Sequence, residues 1–187
     1  MIEVDRACTF SGHRPQKLPW RYDETAPACI ALKEVLTDQI ARLVNNGNIH
    51  FLSGMAEAVD TWNAEIVLAL REKNPALKLH CILPCITQAE QWSVSSRERY
   101  FRILDQADSI IRVSRTYHKN CMLQRNHFMI HHSSTLLAVY NGEYRGGTAS
   151  TVRYARKMGR EILVIDPVTL RITHEKMAVI PQNSKNF

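Results

Sequence analysis

A glycine pair and a threonine late in the chain have the residue types of an anion-binding loop. Gly146, Gly147 and Thr148 come shortly after the apolar run 136–140 and before a segment with helical character. Glycine allows close backbone approach, and the first turn of a helix offers free N–H groups and a partial positive charge to a phosphate. A turn followed by a threonine N-cap is the alternative, although one glycine is enough for that. We predict a phosphate site here, at the N-terminus of a helix that begins near Ala149.

A second candidate segment lies near the start of the chain. Ser11, Gly12, His13 and Arg14 follow the apolar run 7–10. Gly12 would allow a ligand to approach the backbone, and the guanidinium of Arg14 can bond a phosphate or carboxylate with two parallel hydrogen bonds. A tight turn with a solvated arginine explains the same residues, so this segment alone does not establish a site.

A third segment begins with Ser53, Gly54 and Met55, after the apolar run 49–52. We expect a helix to begin at its serine and glycine, and the N-terminus of such a helix suits an anion. Asp60 would then lie about one turn inside the helix. It would contact a ribose hydroxyl or a base edge, or else it would cap or pair locally.

An arginine in an otherwise apolar helix is the fourth candidate. Arg125 and Asn126 precede the largely apolar stretch 127–130, and an arginine in such surroundings needs a partner, either a buried carboxylate or a bound anion. His127 and His131 have the i, i+4 spacing of zinc ligands. Phe128 stands where the HExxH motif has its glutamate, and no third ligand is evident, so we expect no metal site.

Alternating strand-like and helix-like segments must position these residues. The predicted strands are 7–10, 49–52, 79–83, 109–113, 135–140 and 161–165, and the helices between them are 28–45, about 53–74, 95–107, 120–132 and 149–158. This pattern predicts a Rossmann-like α/β fold, a mostly parallel sheet of about six strands with helices on both faces. Ligands of such folds bind at the carboxyl ends of the strands, where three of the four segments would meet. We expect one domain over residues 1–180 and a flexible C-terminal tail over 181–187.

The charge of the chain is basic and uneven. The net charge is +6, and residues 97–160 carry 12 Lys and Arg against 4 Asp and Glu. This bias favours an anionic partner, although many basic side chains simply solvate helix faces. No dense basic run typical of a nucleic-acid tail is present.

Other features of the sequence indicate which classes of protein are excluded. No segment approaches the roughly 20 apolar residues of a membrane helix, and the start of the chain does not have the pattern of a signal peptide. The 5 cysteines lack the spacing of a disulfide framework, a redox pair or a zinc site. We therefore expect a cytoplasmic protein with reduced thiols, no membrane contact and no bound metal.

Taken in order, these segments resemble the YpsA-like branch of the SLOG superfamily. That superfamily includes DNA-processing protein A and the LOG cytokinin-activating hydrolases. The resemblance covers residues 7–166 and rests on the segments 9–15, 53–56 with Asp60, Met122 with Arg125 and Asn126, and 146–148 with Val152, Tyr154 and Ala155. It implies a Rossmann-like sheet, a site for a nucleotide-derived ligand such as ADP-ribose or NAD, and a homodimer.

Two departures from the family pattern bear on function. Thr151 stands where LOG hydrolases have their catalytic glutamate, and Ala58 stands where the family usually has a further glycine. A hydrolase would have to recruit another acid, such as Asp60 or Glu57. The resemblance therefore supports binding better than catalysis.

Three functions follow in order of preference. The first is a cytosolic sensor or accessory factor that binds a nucleotide-derived ligand. The second is a hydrolase of the N-glycosidic bond of nucleotides or nucleoside monophosphates. The third is a single-stranded DNA-binding module, which the basic half favours but which lacks an evident series of aromatic residues for base stacking.

Overall fold

The computed structural model describes residues 1–176, which form an α/β fold; the predicted tail 181–187 lies outside them. The strands are β1 (Ala7–Gly12), β2 (His50–Ser53), β3 (Lys78–Leu83), β4 (Ser109–Arg112), β5 (Thr135–Val139), β6 (Glu161–Ile165) and β7 (Ile172–Glu175). The helices are α1 (Pro27–Asn45), α2 (Val59–Arg71), α3 (Val94–Gln106), α4 (Cys121–His131) and α5 (Gly147–Lys157), with short 3₁₀ turns at Val4–Arg6 and Pro15–Lys17.

All the described strands belong to one sheet with the order β4-β3-β2-β1-β5-β6-β7. The strands from β4 to β6 are parallel, and β7 is antiparallel to β6. The prediction of a mostly parallel Rossmann-like sheet is confirmed. The seventh strand was not predicted, because its residues are largely exposed and show no apolar pattern. Strands β2, β3 and β4 are added on one side of β1, and β5 and β6 are added on its other side. The strand order therefore changes direction between β1 and β5, which makes this pair the switch point.

Helices cover both faces of the sheet, as predicted. Strand β5 illustrates the arrangement, since Leu137 and Val139 pack into a cluster with α1, α2 and α3, whereas Leu136 and Ala138 pack with α4 and α5. Burial on both faces explains why the strands read as continuous apolar runs rather than as alternating patterns.

The boundaries of three elements differ from the predictions where they approach the site. Strand β1 continues through Ser11 to Gly12. Helix α5 begins at Gly147 rather than near Ala149. Helix α2 begins at Val59 rather than at Ser53 and Gly54, because positive φ angles interrupt the intervening loop, 55° at Met55 and 70° at Ala58.

Two further observations concern the chain as a whole. No helix within residues 1–176 combines the length and the apolar character that crossing a bilayer requires. All five cysteines are buried and free, so none is joined in a disulfide.

Candidate ligand-binding crevice

A crevice of about 370 Å³ opens at the carboxyl ends of β1 and β5. It therefore lies at the switch point of the sheet, where ligands bind in open α/β folds. Ten of the residues singled out in the sequence line it: Ser11, Gly12, His13, Arg14, Asp60, Arg125, Asn126, Gly146, Gly147 and Thr148. They come from four separate parts of the chain, which the strand order brings together.

Ser53, Gly54 and Met55 do not line the crevice and lie behind it. The Ser53 hydroxyl accepts a hydrogen bond from the Met55 amide (3.1 Å) and donates to the carbonyl of Asp60 (2.8 Å). The amide of Gln88 donates to the carbonyls of Gly54 and Met55. This loop supports Asp60 from behind, so the expected anion site at its N-terminus is replaced by a buried carboxylate of the chain itself.

Two of the glycines leave room for a side chain that is distant in sequence. A Cβ at Gly12 would lie 2.4 Å from the side chain of Val59, at the start of α2. A Cβ at Gly54 would lie 1.5 Å from Nη1 of Arg125. The expectation that a ligand approaches the backbone at Gly54 is therefore corrected, since Arg125 fills that space and Gly54 does not line the crevice. Gly12 does line the crevice, although Val59 fills the space on its Cβ side.

The N-terminus of α5 faces the crevice with free backbone donors. The first bond of this helix runs from the Ser150 amide to the Gly146 carbonyl, so the N–H groups of Gly147, Thr148 and Ala149 have no partner within the helix. Gly146 is the N-cap, with φ 119°, and no side chain caps the helix. Thr148 is thus the second helical residue and not the N-cap. A Cβ at Gly147 would meet no atom within 4 Å, which leaves the space before these donors open.

A buried arginine and a buried aspartate form one wall of the crevice. Arg125 and Asp60 are 5% and 6% exposed, and Nη1 of Arg125 lies 3.6 Å from Oδ2 of Asp60. This separation is an ion pair but too long for a hydrogen bond. Nε and Nη1 of Arg125 have no hydrogen-bond partner among residues 1–176. The carboxylate also accepts from the Ala56 amide at 3.3 Å, and burial raises its pKa while Arg125 opposes that shift.

The charge of the crevice is positive. Its lining contains the basic side chains of Arg14, Lys17, Arg125 and Arg145 and the single carboxylate of Asp60. Within residues 1–176, Arg14 and Arg145 form no ion pair, whereas Arg125 faces the aspartate. Clustered cations beside a helix N-terminus favour an anionic ligand.

Two polar contacts join the walls that β1 and β5 supply. Nζ of Lys17 lies 2.5 Å from Oε2 of Glu143, and Nε2 of His13 lies 3.0 Å from Oδ1 of Asn141. Burial lowers the pKa of His13, so its ring is neutral near pH 7. These two contacts connect the loops that follow β1 and β5.

Comparison with known proteins identifies the family that shares this arrangement. The YpsA family model, described as the YspA SLOG family, matches residues 8–170. The chain belongs to the YpsA family of SLOG proteins. Its relatives include a UPF0398 protein of Bacillus pumilus (strain SAFR-032), 33% identical over 148 residues, which are 78% of each chain. A UPF0398 protein of Bacillus cereus (strain G9842) is 30% identical over 157 residues, 82% of this chain and 84% of the relative.

Solved structures of DNA processing protein A share the fold of this YpsA-family chain. The Streptococcus pneumoniae protein superposes with a TM-score of 0.58 at 12% identity over 90% of this chain, which spans about half (54%) of that protein. The Helicobacter pylori protein, described with its single-stranded DNA binding mode, gives 0.61 at 17% identity over 94% of this chain and 70% of its own. At these identities, the likeness shows the fold alone.

In this YpsA-family protein, the position of the LOG glutamate holds a structural hydroxyl. Thr151 is 4% exposed and does not line the crevice. Its hydroxyl donates to the Gly147 carbonyl (2.9 Å) and accepts from the amide of Asn126 (2.8 Å). It thereby ties α4 to the first turn of α5. Of the two acids considered as substitutes, Asp60 lines the crevice and Glu57 does not.

The histidine pair of α4 is engaged with one tyrosine. The ring of His127 stacks on Tyr154 at 3.7 Å between centroids, and Nε2 of His131 lies 2.8 Å from the Tyr154 hydroxyl. Within residues 1–176, no group of three or more His, Cys, Asp or Glu side chains is placed to hold a metal ion.

Several crevice residues were not singled out as site residues from the sequence: Phe10, Gln16, Lys17, Ala56, Met122, Arg145 and Ala149. Lys17 and Arg145 matter most, because they add positive charge. Each lies close in sequence to a predicted segment, and that proximity was the only signal available. The direction of a loop side chain depends on contacts such as the Lys17–Glu143 pair, which local sequence does not encode.

Proposed function

We propose that this YpsA-family protein binds a nucleotide-derived ligand in the crevice and serves as a sensor or accessory factor. The observation that carries the proposal is Arg125, a buried guanidinium with two nitrogens that lack hydrogen-bond partners among the described residues. Leaving such donors unsatisfied is costly, and Asp60 is too distant to bond them. Arg125 lines the crevice, so an anion bound there would add acceptors and negative charge beside its ion pair with Asp60.

The N-terminus of α5 is the place we assign to the phosphate. Three free N–H groups, the Thr148 hydroxyl and the helix dipole converge there, opposite Arg125. The open space before Gly147 admits the anion without displacing a side chain. The crevice volume of about 370 Å³ falls within the usual range for small-molecule sites. ADP-ribose and NAD remain the ligand types that the family resemblance favours.

Calorimetry and thermal shift against a defined panel test this proposal. The panel contains AMP, ADP-ribose, NAD, ribose 5-phosphate and inorganic phosphate. A ligand at 100 times its Kd should stabilise the fold by about 2.7 kcal/mol. Gly147→Val should abolish binding without unfolding the protein, because Gly147 lines the crevice and a Cβ at this position meets no protein atom within 4 Å.

Two further variants test whether the ligand binds at the N-terminus of α5. Thr148→Ala should weaken binding by about 0.5–1.5 kcal/mol, the value of one hydrogen bond, and it should leave the helix intact because Gly146 is the N-cap. Arg145→Gln should weaken binding, whereas Arg97→Gln, the same charge change on α3 outside the crevice, should not. Binding that survives Gly147→Val, Thr148→Ala and Arg145→Gln unchanged would place the site elsewhere.

Single-stranded DNA is the second candidate ligand. The Helicobacter pylori neighbour is described with a single-stranded DNA binding mode, and this chain has a basic crevice beside an exposed tyrosine, Tyr144. We favour the small ligand because the donors converge on one crevice rather than along a groove. Oligonucleotide binding by fluorescence anisotropy should then stay near the roughly 10⁻⁴–10⁻⁶ M of non-specific contacts at physiological salt. Submicromolar binding that tightens with length would favour DNA instead.

A further inference from the structure

A tyrosine at the rim of the crevice is almost fully exposed. Tyr144 is 81% exposed. It directly precedes Arg145 and stands two residues before Gly146, both of which line the crevice. Two residues of chain span at most about 7 Å. Tyr144 does not itself line the crevice, but its backbone lies directly beside residues that do. A ligand whose phosphate lies at the N-terminus of α5 and that extends out of the crevice would therefore pass close to Tyr144.

The exposure of this ring is not the result of a loose loop. Nη1 of Arg153 donates to the Tyr144 carbonyl at 2.7 Å. The Glu143 amide donates to Oδ1 of Asn141 at 3.2 Å, and the Tyr140 hydroxyl donates to the Glu143 carbonyl. The backbone of Glu143 and Tyr144 is thus held by three hydrogen bonds. A held loop that presents a large aromatic ring to solvent forgoes the stabilisation of burying it.

One face of the ring is already supported by a cation. The guanidinium carbon of Arg153 lies 5.2 Å from the centroid of the Tyr144 ring, within cation–π distance. Arg153 belongs to α5, the same helix whose N-terminus faces the crevice. With the arginine on one side, the high exposure of the residue leaves the opposite face to solvent. A planar ring held on one face and open on the other is a platform for stacking.

We propose that Tyr144 stacks on the nucleobase of the ligand, so that the crevice selects base-bearing phosphates over simple sugar phosphates. This inference rests on the proposed function, since it requires the phosphate to lie at the N-terminus of α5. Stacking uses the face of a base rather than its hydrogen-bonding edges, and every base has such a face. The contact accordingly distinguishes nucleotides from sugar phosphates without distinguishing adenine from guanine.

Binding of AMP and of ribose 5-phosphate, which lacks the base, tests the inference by calorimetry. The parent protein should bind AMP more tightly than ribose 5-phosphate. Tyr144→Ala should weaken AMP binding about 5- to 150-fold, the range for loss of one stacked base, and should leave ribose 5-phosphate binding unchanged. Tyr144→Phe should retain AMP binding. Tyr117→Ala removes another exposed tyrosine, which lies in the loop between β4 and α4 and not beside Arg145 and Gly146, and should change neither.

The outcomes separate the two levels of the proposal. If AMP binds and Tyr144→Ala does not weaken it, or if Tyr144→Ala weakens both probes equally, the stacking role is wrong while the phosphate site stands. If neither AMP nor ribose 5-phosphate binds the parent protein, the phosphate site and the stacking role both fail.

Discussion

At the scale of single residues, the ion pair between Lys17 and Glu143 would compete with an anion in the proposed site. Nζ of Lys17 lies 2.5 Å from the Glu143 carboxylate, and this contact is the main reason that the pKa of Glu143 is below its usual value. Glu143→Gln should strengthen AMP binding several-fold, because it removes a negative charge from the rim and frees Lys17 for the anion. Calorimetry at two salt concentrations measures this, with a larger gain expected at low salt.

The matched control for this charge change is Glu98→Gln on α3, which should leave AMP binding unchanged. A loss of affinity in Glu143→Gln would mean that the ion pair instead holds the two loops in their binding arrangement.

A second prediction at this scale concerns Thr151, which replaces the LOG glutamate and is committed to two hydrogen bonds. No efficient release of free base from nucleoside 5′-monophosphates should occur, because the one carboxylate in the crevice lining, Asp60, is buried against Arg125. Chromatography of reactions with pure protein measures the free base. Turnover that disappears in Asp60→Asn would contradict this prediction and favour the hydrolase alternative.

At the scale of elements, the turn into α2 contains a strained residue. Ala58 is the N-cap of α2 with φ 70° and ψ −116°, a conformation that glycine adopts readily and other residues do not. Ala58→Gly should raise the free energy of unfolding by about 1 kcal/mol, since relief of strain exceeds the entropy that glycine adds to the unfolded chain. Urea unfolding measures this difference.

The control for this substitution lies in the same helix. Ala69→Gly, at an exposed position inside α2, should lower the free energy of unfolding by about 1 kcal/mol. If the two variants destabilise the protein equally, the turn is not strained. The family resemblance is consistent with the prediction, because it places a glycine where this chain has Ala58.

At the scale of the whole molecule, a buried histidine pair lies near the amino ends of β2 and β3, at the end of the sheet opposite the crevice. Nδ1 of His50 lies 2.9 Å from Nε2 of His80, whose Nδ1 lies 2.7 Å from the Ser109 hydroxyl. Burial, together with the neighbouring His50, lowers the pKa of His80 to about 4. Between about pH 6.5 and pH 4, His80 is therefore protonated in the unfolded chain and neutral in the folded chain.

Stability should therefore fall as the pH is lowered through this window. The effect of His80 on the free energy of unfolding is absent above about pH 6.5. It is destabilising at lower pH and reaches about 3 kcal/mol below pH 4. Urea unfolding at pH 7.5 and pH 5 measures the slope, which should be smaller in His80→Gln. His118→Asn, a change at an exposed histidine in the loop before α4, is the control variant. An equal slope in His80→Gln and the parent protein would contradict the assignment.

The sequence by itself determined the elements and much of the site. Periodicity and apolar runs located six of the seven described strands and four of the five described helices within a few residues, because local side-chain patterns encode element type. The remaining helix, α2, was also predicted, but with a start six residues too early. The rule that ligands bind at the carboxyl ends of parallel strands then selected residues such as Arg14 and Gly147. Strand β7 was not predicted, because it is a short, exposed edge strand without an apolar pattern.

Only the tertiary structure decided which of these segments share the crevice. The strand order places β1 beside β5, so the loops after these two strands meet, while Ser53 and its neighbours stay behind Asp60. It likewise fills the space beside Gly12 with Val59 and the space beside Gly54 with Arg125. These contacts join residues far apart in the chain and depend on strand order and packing. No local sequence pattern carries that information. From the sequence alone, Gly12 and Gly54 are therefore interpreted only as positions where a ligand could approach the backbone.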